Sequence, residues 1–329
     1  MLAFLKLIRL PNLFIIALTQ YAMRWGIIYP ILKWINAYLS QTAPQLAEQD
    51  LFKLQLSEWQ FFLLSLSTVM IAAAGYIIND YFDEKIDRIN KPVQLIIDKG
   101  IKRRVAMGAH MVINFLAITI GVSLAYSIGM WKLGLIYFVS ASGLWYYSTT
   151  FKRQFLVGNI LVAFLTGLVP LMVGLFEIPL LIRQYGTLIA QYNINFNIIF
   201  NFIAGFSFFA FITTLIREIL KDVEDMEGDQ AFGCNTLPIA LGIGKTKKII
   251  ASLILICILV IAYDQYTLFR SHAFLSFGYL LVLIQIPFML LLYKTMKAKE
   301  SKEFTFPEKL SKLIMILGIL YSCIIYVEF

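Results

Sequence analysis

Charged residues are scarce in this chain. Asp, Glu, Lys and Arg make up only 15% of its 329 residues, against about 25% in a soluble domain. The hydrophobic fraction is 60% and the mean hydropathy is +0.77. This composition excludes an ordinary soluble globular protein and indicates that much of the surface faces lipid.

Cysteine and histidine are also rare, with three and two residues. Cys234, Cys257 and Cys323 lack CxxC spacing, and two of them lie in apolar stretches, so neither a disulfide framework nor a thiolate metal site is indicated. His110 and His272 are isolated, and we expect them to be packing or interfacial residues. Histidine-based catalysis therefore has no support in the sequence.

Long apolar stretches recur along the whole chain, each of a length that crosses a bilayer. They predict an all-α, polytopic membrane protein of about nine transmembrane helices. The first residues superficially resemble a signal peptide, but no small-residue cleavage site follows, so we expect the first span to remain. The predicted spans are 11–31, 59–79, 105–127, 131–149, 156–176, 196–216, 249–267, 273–293 and 311–327.

The cations are distributed unevenly between the two sides of the predicted membrane topology. The side that holds the N-terminus and the even-numbered loops carries 22 of the 28 Lys and Arg residues. Because cytoplasmic loops are enriched in Lys and Arg, we predict a cell (inner) membrane protein with a cytoplasmic N-terminus and an external C-terminus. The net charge of +8 is thus explained by the lipid bilayer as partner, and we predict no nucleic-acid partner.

An acidic cluster ends the second predicted span and reads N-D-Y-F-D-E-K-I-D over 79–87. On a helix, Asn79, Asp83 and Asp87 are spaced i, i+4 and i+8, with Asp80 next to Asn79, so their oxygens share one face. Pro92 is predicted to mark the helix end. Like charges at this spacing repel one another, so the cluster requires a cation.

A second acidic cluster follows the sixth span, four spans later. Glu218, Asp222, Asp225 and Asp229 form another helical stripe, and Gly228 is expected to loosen the helix end. We predict that both clusters lie at the cytoplasmic face of a single domain over 1–329, made of two pseudo-repeated four-helix halves and a ninth helix. Oxygen ligands alone favour Mg²⁺ over zinc or copper, so all eight residues of the two clusters are predicted metal ligands.

Basic residues near these clusters predict an anion site. Lys152 and Arg153 follow the fourth span, and Arg217 and Lys221 flank the second cluster. A metal ion combined with Lys and Arg is a common way to bind a diphosphate. The positive-inside bias alone could also account for Lys152 and Arg153.

These motifs resemble the UbiA superfamily of intramembrane prenyltransferases. The two acidic motifs carry most of the resemblance, and shorter segments extend it over nearly the whole chain: Arg9-x-Pro11-Asn12, Tyr147-Ser148-x-x-Phe151-Lys152, Gly158-Asn159 and Gly233-x-x-Thr236-Leu237-Pro238. The second motif is most similar to that of geranylgeranylglycerol-phosphate geranylgeranyltransferases.

The resemblance implies a helical bundle around a central cavity that binds an allylic polyprenyl diphosphate with Mg²⁺ between the acidic motifs. It implies catalytic roles for Lys152, Asp83 and Asp225. The diphosphate would be bound by Asn79, Lys152, Arg153, Arg217, Lys221 and Tyr147. Ionisation of the C1–O bond would give an allylic cation, shielded by aromatic rings, that alkylates an acceptor.

The acceptor is less well specified. A glycerol-phosphate lipid ranks first, and an aromatic quinone precursor is the alternative. The loop 93–100 departs from the relatives, which usually continue with an arginine-proline and a proline-serine-glycine turn, and Gln94 is the residue whose replacement by arginine would test this departure. Two other classes stay open: a cation-coupled transporter that uses the acidic stripes, and a phosphate-lipid hydrolase, for which no nucleophile–base pair is found.

Overall fold

The computed structural model describes residues 2–42, 51–90, 96–97 and 100–329, with only the backbone described for 42 and 85–90. All regular elements in these residues are helical. The α-helices are α1 (Leu2–Leu7), α2 (Leu10–Met23), α3 (Tyr29–Thr42), α4 (Glu58–Asn90), α5 (Arg103–Ser127), α6 (Gly134–Thr149), α7 (Val157–Gln191), α8 (Asn197–Glu224), α9 (Met226–Ala231), α10 (Leu237–Arg270), α11 (Phe274–Tyr279), α12 (Ile286–Lys297) and α13 (Thr305–Glu328).

The predicted all-α, polytopic fold is confirmed, and each of the nine predicted spans falls on helical residues. Seven helical segments within the described residues are long and apolar enough to cross a membrane. The other two predicted spans are interrupted or short: a π-helical segment, Arg24–Ile28, joins α2 to α3, and α6 has only 16 residues.

Small residues allow some of these helices to pack closely. A Cβ at Gly121 of α5 would lie 2.5 Å from the ring of Tyr137 in α6. A Cβ at Gly134 would lie 3.2 Å from the backbone of Val122. Glycine at both positions thus permits the close α5–α6 contact, as is common at helix interfaces in membranes.

The two larger apolar cores among the described residues hold the bundle together. The first joins α2 and α3 with α4, α5, α7 and the N-terminal half of α8. The second joins the C-terminal half of α8 with α10, α12 and α13. Because α8 contributes to both cores, it couples the early helices of the chain to the late ones.

Arg24 lies far inside the bundle, with only 1% of its side chain exposed. Its guanidinium donates to the carbonyl of Leu56 at 2.7 Å and to Glu58 at 2.8 Å, and Nη1 lies 3.5 Å from Glu177. Glu177 in turn accepts from the backbone N–H groups of Gln55 and Leu56. This intramembrane cation is therefore part of a buried ion-pair network that fixes the segment before α4.

His110 is a packing residue, as the sequence predicted. It is buried on α5, its Nδ1 lies 2.9 Å from the carbonyl oxygen of Ala74, and its ring lies 5.5 Å from that of Trp145.

Candidate active site

A cavity of about 250 Å³ opens between α2, α4, α6, α7, α8 and α13. Its lining includes Arg9, Asn12, Tyr76, Asn79, Tyr147, Arg217, Glu218, Lys221 and Lys312 at one end. Apolar residues dominate elsewhere: Ile15, Ile16, Ile71, Ile136, Leu144, Val162, Leu165, Leu168, Val169, Met172, Met315 and Ile316.

The cavity is elongated along the helix axes. On α4 it extends from Asn79 to Thr68, and on α6 from Tyr147 to Ile136. A separation of about eleven residues along an α-helix corresponds to about 16 Å. The charged end of the cavity, from here on called the mouth, therefore leads into a long apolar part. A cavity of this shape can hold an amphiphile with an anionic head.

The first acidic motif begins at this mouth. Asn79 lines the cavity, Asp80 accepts a hydrogen bond from Arg9 at 2.8 Å, and Asp83 forms an ion pair with Lys152. The side chain of Asp87 lies outside the described residues, as do Pro92 and most of the atypical loop 93–100, including Gln94. The predicted proximity of Lys152 to the first motif is therefore observed.

The second acidic motif is less regular than the single helical stripe predicted from the sequence. Helix α8 ends at Glu224, Asp225 adopts a non-helical conformation, and Gly228 lies inside the separate helix α9. Gly228, which was expected to loosen the helix end, lies within α9, and the break falls three residues earlier, at Asp225. This break turns α9, which carries Asp229, towards α4.

Carboxylates of the second motif have defined partners. Glu218 accepts hydrogen bonds from Arg217 at 3.3 Å and from Lys221 at 3.1 Å. Asp222 accepts from the side-chain amide of Asn159 at 2.8 Å. Asn159 follows Gly158 at the start of α7, so this amide links the second motif to the helix that begins beside Lys152.

Lys152 lies in a 3₁₀ turn, Phe151–Arg153, between α6 and α7. The turn is held by a hydrogen bond from the backbone N–H of Asn235 to the carbonyl of Arg153, 2.8 Å long. Burial lowers the pKa of Lys152 to about 7, and the charge of Arg153 acts in the same direction, whereas Asp229 and Asp80 oppose it. The side chain of Arg153 itself is exposed and does not line the cavity.

Gly158 sets the position of this turn. A Cβ at Gly158 would lie 2.7 Å from Cα of Lys152 and 3.0 Å from the carbonyl oxygen of Phe151. Both are backbone atoms, so any side chain at this position must displace the turn. The glycine therefore positions Lys152 through close backbone packing.

We expect Gly158→Ala to lower kcat by about tenfold to a hundredfold, because a displacement of about 1 Å at a reacting group can cost that much. The measurement is steady-state turnover of purified protein. Gly205→Ala is the matched control, since a Cβ there meets nothing within 4 Å. Equal turnover in the two variants would contradict the positioning role.

The structure adds residues that the sequence reasoning did not assign to the site. Arg9 and Asn12 appeared only as part of the family resemblance, and Lys312 appeared only as one of many cytoplasmic cations. All three line the charged mouth. Asn12 and Lys312 are 300 positions apart, so no local pattern could have paired them.

The structure identifies which of the plentiful aromatic residues line the cavity. Among the described residues, the aromatic side chains that line the cavity are those of Tyr76, Tyr137 and Tyr147. Many phenylalanines and tryptophans are instead exposed on the outer surface of the bundle, where lipid would contact them.

Comparison with known proteins agrees with this architecture. The model of the UbiA prenyltransferase family matches residues 45–312. Digeranylgeranylglyceryl phosphate synthase of Methanothermobacter thermautotrophicus is 34% identical over 69% of this chain and 70% of its own length. The enzyme of the same name from Methanosphaera stadtmanae is 30% identical over 78% and 84%.

Solved structures share the fold. A digeranylgeranylglyceryl phosphate synthase structure superposes with a TM-score of 0.58 and 23% identity over 99% of this chain and 98% of that one. A UbiA homologue from Archaeoglobus fulgidus, bound to DMAPP and Mg²⁺, gives 0.54 and 16% over 97% and 98%. The chain therefore belongs to the UbiA prenyltransferase family and is a multi-pass membrane prenyltransferase.

Proposed function

We propose that this enzyme transfers a polyprenyl group from an allylic polyprenyl diphosphate to a glycerol-phosphate lipid in the membrane and releases diphosphate. The observation that carries the proposal is the pairing of Lys152 with Asp83, one helical turn beyond Asn79, which lines the charged mouth of an apolar cavity. The relatives at 30–34% identity, which are digeranylgeranylglyceryl phosphate synthases, support a glycerol-phosphate acceptor.

The donor atoms at the mouth fit Mg²⁺. The side-chain oxygen of Asn79 is buried and has no hydrogen-bond partner, and it lies on the same helix face as Asp83. Among the described residues, no three acidic, Cys or His side chains are grouped closely enough to hold a metal by themselves. Mg²⁺ takes one or two carboxylates and completes its shell with water and substrate phosphate oxygens.

On this proposal, the metal would be held by the residues of the two acidic motifs, namely Asn79, Asp80, Asp83, Asp87, Glu218, Asp222, Asp225 and Asp229. When bound, Mg²⁺ would neutralise charge on the diphosphate leaving group. Four of these carboxylates have cationic or amide partners: Asp80 contacts Arg9, Asp83 contacts Lys152, Glu218 contacts Arg217 and Lys221, and Asp222 contacts Asn159.

Several side chains near the mouth would donate hydrogen bonds to the diphosphate. Lys152 donates hydrogen bonds to its oxygens, and Asp83 orients the Lys152 ammonium group. Arg217, Lys221 and Tyr147 line the same mouth and add positive charge and a hydroxyl donor. Preorganised donors of this kind stabilise the charge that develops when the C1–O bond breaks.

The apolar part of the cavity would hold the prenyl chain and exclude water from the allylic cation. Tyr76 and Tyr147 lie near the mouth, where the carbon C1 would be, and their ring faces can stabilise a cation. We propose that this mouth lies on the cytoplasmic side of the cell membrane. The reason is that 22 of the 28 Lys and Arg residues lie on the side that holds the N-terminus, and cytoplasmic loops are enriched in Lys and Arg. The single-domain organisation over 1–329 with two four-helix halves remains part of the same proposal.

The test is an assay of purified protein in detergent with labelled geranylgeranyl diphosphate and Mg²⁺. Geranylgeranylglyceryl phosphate is compared with an aromatic quinone precursor as acceptor. We expect prenylated phospholipid and free diphosphate, loss of both on adding EDTA, and recovery with excess Mg²⁺. Asp225→Ala should abolish turnover. Product from the aromatic acceptor alone would refute the proposed acceptor. Product from neither acceptor would refute the proposed activity.

A further inference from the structure

The cations at the mouth of the cavity differ in whether a carboxylate contacts them. Arg9 is paired with Asp80 at 2.8 Å, Arg217 with Glu308 at 2.8 Å, and Lys221 contacts Glu218. Lys312 differs from them. Its Nζ donates to the neutral side-chain oxygen of Asn12 at 2.8 Å, and it takes part in no ion pair among the described residues.

Lys312 thus brings a positive charge that no carboxylate contact balances. Arg9 and Arg217 are close enough for their charges to act on its ammonium group, and Glu308 is the nearby acidic residue. Glu308 already accepts from Arg217. Grouped cations in a partly buried site repel one another, so an anionic ligand at this position would be stabilised by Lys312.

Two helices show the same layering from the mouth into the cavity. On α13, Lys312 is followed one turn later by Met315 and Ile316, and on α2, Asn12 is followed by Ile15 and Ile16. A polar group at the mouth and apolar side chains behind it match a lipid with an anionic head. The first acidic motif lies instead on α4, and Lys152 lies on the turn before α7.

We propose that Lys312, held by Asn12 and adjacent to Arg217, binds the phosphate monoester of the acceptor lipid, with the lipid chain lying along α2 and α13. This inference rests on the proposed function, because it assigns the acceptor phosphate to Lys312 and leaves the donor diphosphate beside Lys152 and Asp83. Lys312 is thus a specificity-determining residue that selects phosphorylated acceptors.

The first test compares wild type, Lys312→Gln and Lys312→Arg with two acceptors that differ only in phosphate: geranylgeranylglyceryl phosphate and geranylgeranylglycerol. Loss of one charge-assisted hydrogen bond should raise KM for the phosphorylated acceptor by about tenfold or more. KM for the donor diphosphate should change less than about twofold, and arginine should restore most of the effect. Lys309→Gln is the matched control, because Lys309 lies on the same helix and is exposed.

A rise in donor KM equal to that in acceptor KM would overturn the inference, as would equal losses with the two acceptors. Melting of the purified variants in detergent separates these outcomes from misfolding. A variant that has lost its cooperative melt is replaced by Asn12→Ala, which should also weaken selection for phosphate because Asn12 holds the lysine.

A binding measurement keeps the inference distinguishable from the activity itself. Fluorescent phosphorylated lipid should bind to wild type at least about tenfold more tightly than the dephosphorylated lipid, and Lys312→Gln should remove this difference, whether or not turnover occurs. Inorganic phosphate should compete only weakly, because it lacks the chain. The assignment to a lipid headgroup would be overturned if inorganic phosphate bound as tightly as the phosphorylated lipid. It would also be overturned if Lys312→Gln bound the phosphorylated lipid as tightly as wild type does.

Discussion

Replacing Lys152 by methionine is expected to lower kcat by about 10²–10³-fold, the usual cost of removing one preorganised donor to a developing negative charge. The ammonium group is only 11% exposed and contacts Asp83, which is 17% exposed. Methionine keeps much of the side-chain length and apolar contact but cannot donate. The measurement is single-turnover formation of prenylated lipid at saturating donor, which separates the chemical step from substrate binding.

Asp83→Asn should give a loss of similar size, and the double variant should be only a few-fold slower than the slower single variant. Two residues that act as a unit give such non-additive losses. Lys245→Met is the matched control, since Lys245 is exposed. Independent losses that multiply in the double variant would show that the ion pair does not act as a unit.

The largest stability effect is expected for Arg24→Met. This change leaves the buried Glu177 carboxylate with only the N–H groups of Gln55 and Leu56 as partners. Breaking a buried ion pair from one side typically costs about 3–5 kcal/mol. The free energy of unfolding, measured by SDS titration in detergent micelles, should fall by this amount.

Glu177→Gln should cost less, because Arg24 keeps Glu58 and the Leu56 carbonyl as partners. Arg183→Met is the matched control, since Arg183 is exposed on the same helix as Glu177. Glu177 is 18 residues from Asn159, about 27 Å along α7, so the folded variants should retain turnover within a few-fold. Equal stability of the Arg24 and Arg183 variants would show that the network is not stabilising.

Much of the fold was predictable because lipid imposes a strong and local constraint. A bilayer-spanning helix needs about 20 apolar residues, so the spans can be read from hydropathy alone. The fourth span was found although α6 has only 16 residues. The break at Asp225 was not found, because the acidic residues at i, i+4, i+7 and i+11 are equally compatible with one continuous helix.

Chemistry that depends on local spacing was likewise predictable. Asn79 and Asp83 lie one turn apart, so their shared face follows from the sequence. Arg24 shows the limit of this reasoning. Its position in an apolar span signalled either function or snorkelling, but only the structure places Glu58 and Glu177 beside it.

By itself, the sequence determined the membrane-spanning helices, the family and the two acidic motifs, because hydropathy and helical spacing are properties of neighbouring residues. The tertiary structure decided which cations meet the first motif, namely Lys152 at Asp83 and Arg9 at Asp80, and it placed Lys312 beside Asn12. These pairs lie 69, 71 and 300 positions apart. Contacts over such separations arise from helix packing, which leaves no local pattern in the sequence.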